Sequence, residues 1–326
     1  MTVVKVEDLS KTYKSPKKEQ GLLGTIKSLV TREMVEVKAV QNINFEIQEG
    51  ELVGFLGPNG AGKTTTLKML SGIMHPTTGR AEVFGYIPWK RQREMQKQIS
   101  LVMGQKMQLW WDLPAYESFV LLKELYEVDD ATFKKRLNFM AEILEVSNLL
   151  HQQVRKLSLG ERMKCELIAA LLHAPRVVFL DEPTIGLDVV SQKRIREFLL
   201  EINAAQKTTV LLTSHYMQDV EAVCERVIII DQGQLIFDNS LKGLIAEHSK
   251  SKVLRLVFAN PVTCDELVRY GKVRNCDGLN AIIEVPRAET STIAAAILTH
   301  LPVEDITIDE ADIEDIIRVV FAEGRT

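Results

Sequence analysis

The residues best suited to chemistry in this chain are Gly57-Pro58-Asn59-Gly60-Ala61-Gly62-Lys63-Thr64, followed by Thr65. An apolar run, Leu52-Val53-Gly54-Phe55-Leu56, leads into them, and a predicted helix continues through Leu70. A strand, a glycine-rich loop ending in Lys-Thr, and a helix in that order form the context of a phosphate-binding loop. The glycines let successive backbone N–H groups turn toward one anion, and the helix start adds about half a positive charge there. Lys63 can reach the terminal phosphates, and the Thr64 hydroxyl can ligate a Mg²⁺ that bridges them. The loop is expected to bind a nucleoside triphosphate.

A second constellation is Val177-Val178-Phe179-Leu180-Asp181-Glu182-Pro183-Thr184, an apolar strand ending in two carboxylates. Carboxylates at a buried strand end are costly unless a cation or hydrogen bonds offset them. Mg²⁺ at the triphosphate supplies that offset, so Asp181 is expected to hold the metal and Glu182 to polarise the attacking water. His215, after Thr213-Ser214 at another strand end, is placed to contact the γ-phosphate. Gln105, in Val102-Met103-Gly104-Gln105, can give the metal a neutral oxygen or orient water. Leu157-Ser158-Leu159-Gly160-Glu161 opens a helical run. Ser158 and Glu161 have the spacing of a capping box, and such a helix start is also an anion site.

These groups need a scaffold that brings distant strand ends together. The chain has 326 residues, 46% hydrophobic and 26% charged, an ordinary globular composition with room for two domains. The net charge of −4 argues against a dedicated nucleic-acid binder. Cys165, Cys224, Cys264 and Cys276 lack metal-site spacing and read as reduced thiols. The N-terminus does not read as a signal peptide, and Leu167 to Leu172 is too short for a membrane span.

Residues 3 to 13 alternate as an edge strand ending at Tyr13. The stretch of about 14–34 interrupts the pattern. Leu22, Leu23, Ile26, Leu29 and Val30 make an amphipathic helix after a basic lead-in, suited to a membrane surface, a partner's helices or its own domain. The region of about 91–175 reads as mainly helical up to His151. Apolar strands at Val177, Thr209 and Val227 then alternate with helices, the pattern of a largely parallel, doubly covered sheet. After Lys250 the order β-α-β-β-α-β plus a helix suggests a small ferredoxin-like domain. The expected division is 1–247 and 248–326.

Taken together, these residues resemble the ATP-binding subunit of ABC transporters over about residues 1 to 245. The phosphate loop, Gln105, LSLGE at 157–161, FLDEP ending at Pro183, Gly186-Leu187-Asp188 and His215 occur in that family's order. The resemblance implies an α/β fold of the P-loop NTPase type, with a parallel-rich sheet and a helical insertion, followed by the small α+β domain. It implies an ATPase with Glu182, His215 and Lys63 as catalytic groups, and Thr64, Gln105 and Asp181 around Mg²⁺. It further implies that Tyr13 stacks on adenine and that Asp188 signals across a subunit interface. Two such subunits would close head to tail on ATP, with Ser158, Gly160 and Glu161 of one facing the other's loop. The family's usual LSGGQ is LSLGE here, so Leu159 adds bulk and Glu161 brings a negative charge toward that site.

The C-terminal domain, the insertion, Trp110-Trp111 and the single ATPase domain resemble exporters of the ABC-2 type, including drug and polysaccharide systems. The implied partners are a separate transmembrane permease and a second ATP-binding subunit, with the chain peripheral on the cytoplasmic membrane face. Trp110 and Trp111 read either as a docking surface for the permease or as a core anchor. The alternative is a soluble ABC-type ATPase acting on ribosomes or DNA. A nucleotide-binding regulator without turnover fits less well, because Glu182 is present.

Overall fold

The computed structural model describes residues 1–16, 34–104, 106–214, 216–248, 251–310 and 313–323. The amphipathic helix expected within about 14–34 lies almost wholly outside these residues. The chain divides into two compact units, Met1–Asp238 and Asn239–Thr326.

The first unit is built on two sheets. Strands β1 (Thr2–Pro16), β2 (Met34–Gln48) and β4 (Thr78–Val83) form an antiparallel sheet in the order β2-β1-β4. The expected edge strand is thus the central one, because β4 supplies a partner on its open side. Strands β3 (Leu52–Leu56), β5 (Ile99–Met103), β6 (Val177–Asp181), β7 (Thr209–Thr213), β8 (Arg226–Asp231) and β9 (Gln234–Ser240) form the second sheet. Its order is β5-β6-β7-β3-β8-β9, parallel from β5 through β8. Val177 to Leu180 and Val53 to Leu56 are buried, as apolar runs covered on both faces must be. Phe45 and Phe55 meet at 5.9 Å between ring centroids and tie the two sheets together.

Helix α1 (Lys63–Leu70) follows β3, and α2 (Arg93–Gln96), α3 (Ala115–Leu125), α4 (Asp130–Ile143) and α5 (Leu159–Leu171) form the helical part. The expectation of a mainly helical stretch after Arg91 missed β5, which adds an edge strand to the core sheet beside β6. Helices α6 (Val189–Gln206) and α7 (Met217–Val223) complete the α/β alternation.

His173 couples the helical part to β5. Its ring stacks on Tyr126 at 3.8 Å and 7°, and its Nε2 lies 3.3 Å from the Ile99 carbonyl. Its Nδ1 is buried without a partner among the described residues. Burial pulls the imidazole down to about 4, against the opposing Ile99 carbonyl and with a smaller push from Arg136. The folded state therefore excludes a proton that the unfolded chain takes up below about pH 6.5. Stability from this group is full above that pH and is lost as pH falls toward 4. Urea unfolding at pH 7 and pH 4.5 should show a loss of about 2 kcal/mol from this site. His173→Phe, which keeps the stack, should flatten that part of the slope; an unchanged slope would rule the site out.

The second unit carries α8 (Leu241–His248), β10 (Ser251–Phe258), α9 (Cys264–Val268), β11 (Lys272–Cys276), β12 (Asn280–Pro286), α10 (Thr290–His300), β13 (Val303–Glu310) and α11 (Ile313–Glu323). The sheet order is β11-β12-β10-β13, all antiparallel, which is the ferredoxin-like arrangement expected from the element order. Leu254, Leu256, Phe258, Leu267, Ile283 and Ile297 make its core. One expectation fails here. Cys264 and Cys276 form a disulfide, with Cα atoms 5.9 Å apart, because α9 starts opposite the end of β11. Cys165 and Cys224 are buried free thiols, and burial pushes Cys165 up to about 12.

Candidate functional site

The carboxyl ends of β3, β6 and β7 lie side by side in the sheet, the edge where open α/β sheets bind ligands. The phosphate loop leaves β3 and enters α1 through Gly62, whose φ is +110°. A Cβ at Gly62 would sit 2.4 Å from the Ala39 carbonyl, so glycine is required by both backbone angle and space. Lys63 is buried, and its ammonium donates to the carbonyls of Gly57 at 2.6 Å and Pro58 at 3.1 Å. Burial lowers its pKa, while the charges of Glu182 and Asp181 act in the opposite direction. The lysine thus stands inside the loop, within the field of both carboxylates.

Asp181 ends β6 as a buried carboxylate held by two hydroxyls. Thr64 donates to one oxygen at 2.8 Å and Thr213 to the other at 2.8 Å. Glu182 follows with φ +56°, a left-handed backbone that a non-glycine residue adopts at some cost. Its N–H is satisfied by the Thr213 carbonyl at 3.1 Å and the Thr213 hydroxyl at 3.0 Å. Thr213 was not singled out from sequence, yet it holds Asp181 and Glu182 alike. Its place at the end of an apolar strand, before Ser214-His215, was the available signal.

The capping box at the start of α5 is present. Ser158 accepts from the Glu161 N–H at 3.3 Å, and the Glu161 carboxylate accepts from the Ser158 N–H at 2.8 Å. Glu161 is therefore engaged with its own helix start. Gly160 packs on the start of α6, where a Cβ would lie 2.4 Å from the Ser191 hydroxyl. Ser191 in turn donates to Asp188 through its N–H at 2.9 Å and its hydroxyl at 2.7 Å, and these bonds lower the Asp188 pKa. The structure thus joins Gly160 and Asp188 through one serine. Ser158, Leu159 and Asp188 are exposed, and so are Val189 at 74% and Val190 at 71%, an apolar pair the sequence reading passed over.

Tyr13 is exposed beside α1, with its hydroxyl 3.0 Å from the Met74 sulfur and 3.5 Å from the Thr65 hydroxyl. Gln105 and His215 lie outside the described residues. The segment after Gln105 is clamped to α5 by buried Glu166, which accepts from the N–H groups of Gln108 at 3.0 Å and Leu109 at 3.2 Å. Burial raises the Glu166 pKa, and those two backbone donors partly restore the carboxylate. Trp110 and Trp111 are half exposed, not core anchors, and Arg162 of α5 lies 5.1 Å over the Trp111 ring.

Comparison with known proteins decides the family. A profile described as "ABC transporter" matches residues 40–185, and one described as "EvrA-like ABC transporter, C-terminal domain" matches residues 250–309. The ABC transporter ATP-binding protein NatA of Bacillus subtilis is 34% identical, over 68% of this chain and 89% of NatA. The chain belongs to the ABC transporter ATP-binding proteins. As a member of that family it is an ATPase, the ATP-hydrolysing subunit of an ABC transporter. The bacitracin transport ATP-binding protein BcrA of Bacillus licheniformis is 31% identical, over 72% of this chain and 69% of BcrA. Among solved structures, cbiO1 of Clostridium perfringens, part of an ABC transporter complex, has a TM-score of 0.59 at 25% identity, covering 76% of this chain and 91% of cbiO1. A dimeric ATP-binding cassette bound to ADP and phosphate has a TM-score of 0.60 at 23% identity and shares the fold, over 73% of this chain and 98% of that one. The alternative of a soluble ATPase acting on ribosomes or DNA is not favoured by these relatives. No helix among the described residues is long and apolar enough to cross a membrane.

Proposed function

We propose that this ABC ATPase binds MgATP at the carboxyl edge of β3, β6 and β7 and powers export through a separate transmembrane permease. Glu182 is the general base, Lys63 and His215 contact the terminal phosphates, and Tyr13 stacks on adenine. The observation that carries this reading is the convergence of the Lys63 loop, Asp181 and Glu182 on one sheet edge. Thr64 and Asp181 offer hard oxygen donors of the kind Mg²⁺ takes, and Gln105 is the proposed third ligand. When bound, the ion neutralises charge on the β- and γ-phosphate oxygens.

A second copy of the chain completes the site, with Ser158 and the Gly160 backbone facing its partner's loop. The exposed strip of Leu159, Val189 and Val190 beside Ser158 and Asp188 supports an interface there. The permease docks at Trp110 and Trp111 on the cytoplasmic membrane face. Their exposure, the Arg162–Trp111 stack and the Glu166 clamp give that surface a direct mechanical link to the Ser158 helix. Export, like the choice of permease, is carried over from the drug-exporter-like relatives.

A tryptophan anchor carries about 2 kcal/mol in a well-packed interface. Replacing Trp110 and Trp111 together by Ala should therefore cut copurification with the permease at least about tenfold. ATP hydrolysis by the purified subunit should persist. Undiminished permease recovery would exclude this docking surface.

A further inference from the structure

Asp219, on the first turn of α7, is 1% exposed and lies outside the set of residues assigned above. A buried carboxylate must be fully paired, and this one is. One oxygen accepts from the hydroxyls of Thr184 and of Ser214, the latter at 2.7 Å. The other accepts from the Arg196 guanidinium at 2.8 Å, itself largely buried. The three donors come from three separate pieces of the site. Thr184 is two residues past Glu182, Ser214 immediately precedes His215, and Arg196 belongs to α6, whose cap is Asp188. Ser214 also accepts from the Tyr216 N–H at 3.0 Å, so one hydroxyl closes the chain on both sides of position 215.

We infer that Asp219 is a positioning residue for ATP hydrolysis: it pins the loop after Glu182 to the loop carrying His215 and both to α6. This rests on the assignment of Glu182 and His215 to the reaction. The side chain touches no reacting atom. It acts through the hydroxyls of Thr184 and Ser214, which fix where the two loops leave their strands. A carboxylate is needed, because only two anionic oxygens can accept from two hydroxyls and an arginine together. An amide of the same shape leaves Arg196 without its counter-charge and turns an N–H₂ toward hydroxyls that now donate.

The test is steady-state hydrolysis of MgATP by the full chain. A shift of about 1 Å in reacting groups costs up to about 100-fold. Asp219→Asn should therefore lower kcat at least about tenfold while KM for MgATP stays within about threefold. Thr184→Val, which removes one hydroxyl at constant shape, should lower kcat in the same way, and Thr184→Ser should restore it. The double variant Asp219→Asn/Thr184→Val should be no worse than Asp219→Asn alone, since both break one network. If Asp219→Asn does not fold, the Val and Ser pair at Thr184 carries the test alone. Near-wild-type kcat in Thr184→Val, with Glu182→Gln inactive, would overturn the positioning role and leave the general base intact. Equal activity of the Val and Ser variants would do the same. An active Glu182→Gln would remove the assignment on which the role stands.

Discussion

Glu182→Gln is expected to abolish steady-state ATP hydrolysis, by at least about 100-fold, because a positioned general base contributes on that order. The change is nearly isosteric and leaves the Glu182 N–H bonds to Thr213 in place. Asp181 keeps both of its threonine donors, so nucleotide binding should survive. Binding without turnover should then trap the closed pair of subunits. Light scattering of the variant should give a dimer at saturating MgATP and a smaller species without it. An unchanged rate would remove Glu182 from the role, and a persistent monomer would count against the head-to-tail pairing.

Gly160→Ala should be nearly as damaging for a different reason. The added methyl would sit 2.4 Å from the Ser191 hydroxyl, 3.0 Å from its Cβ and 3.3 Å from an Asp188 oxygen. Rotating the hydroxyl away would sacrifice its bond to Asp188 and would still leave the Cβ too close. The start of α5 must shift, or the Asp188 cap must open. Both elements belong to the surface proposed to face a second subunit. Hydrolysis should fall by about 10- to 100-fold, as for misplaced reacting groups. A fluorescent ATP analogue should bind the isolated subunit with affinity close to that of the wild type. Normal turnover would show that α5 and α6 can separate at no cost, and the proposed interface would lose its rigid support.

The elements legible in the sequence are those written in contiguous residues. The loop from Gly57 to Thr64 carries its strand, turn and helix signals within a few residues, and β6 with Asp181 and Glu182 does likewise. The ferredoxin-like unit followed from element order alone, because that order leaves few ways to close an antiparallel sheet. The failures involve partners distant in the chain. Alternation marks β1 as a strand but says nothing about how many neighbours it has, and β4, its second partner, comes more than 60 residues later. Strand β5 is only five residues long amid helical neighbours. Cys264 and Cys276 have no diagnostic spacing, and only the turn through α9 brings them together. A Trp-Trp pair has the same composition whether it fills a core or faces solvent. Asp219 is one more acidic residue on a short helix until Thr184, Ser214 and Arg196 are seen around it.

The capping box at Ser158 changes what the LSLGE departure means. A glutamate at this position offers the same cap to the Ser158 N–H as a glutamine would, so helix α5 begins equally well with either. The difference is electrical. An anionic group in the first turn offsets part of the positive end of the helix, the end proposed to meet a partner's γ-phosphate. On that proposal, the grip of one subunit on its neighbour's ATP should be looser than a glutamine would give, with no loss of shape. In time rather than affinity, the closed pair built from this chain should be short-lived. Its subunits should part soon after each turnover, and Glu161→Gln should lengthen that dwell.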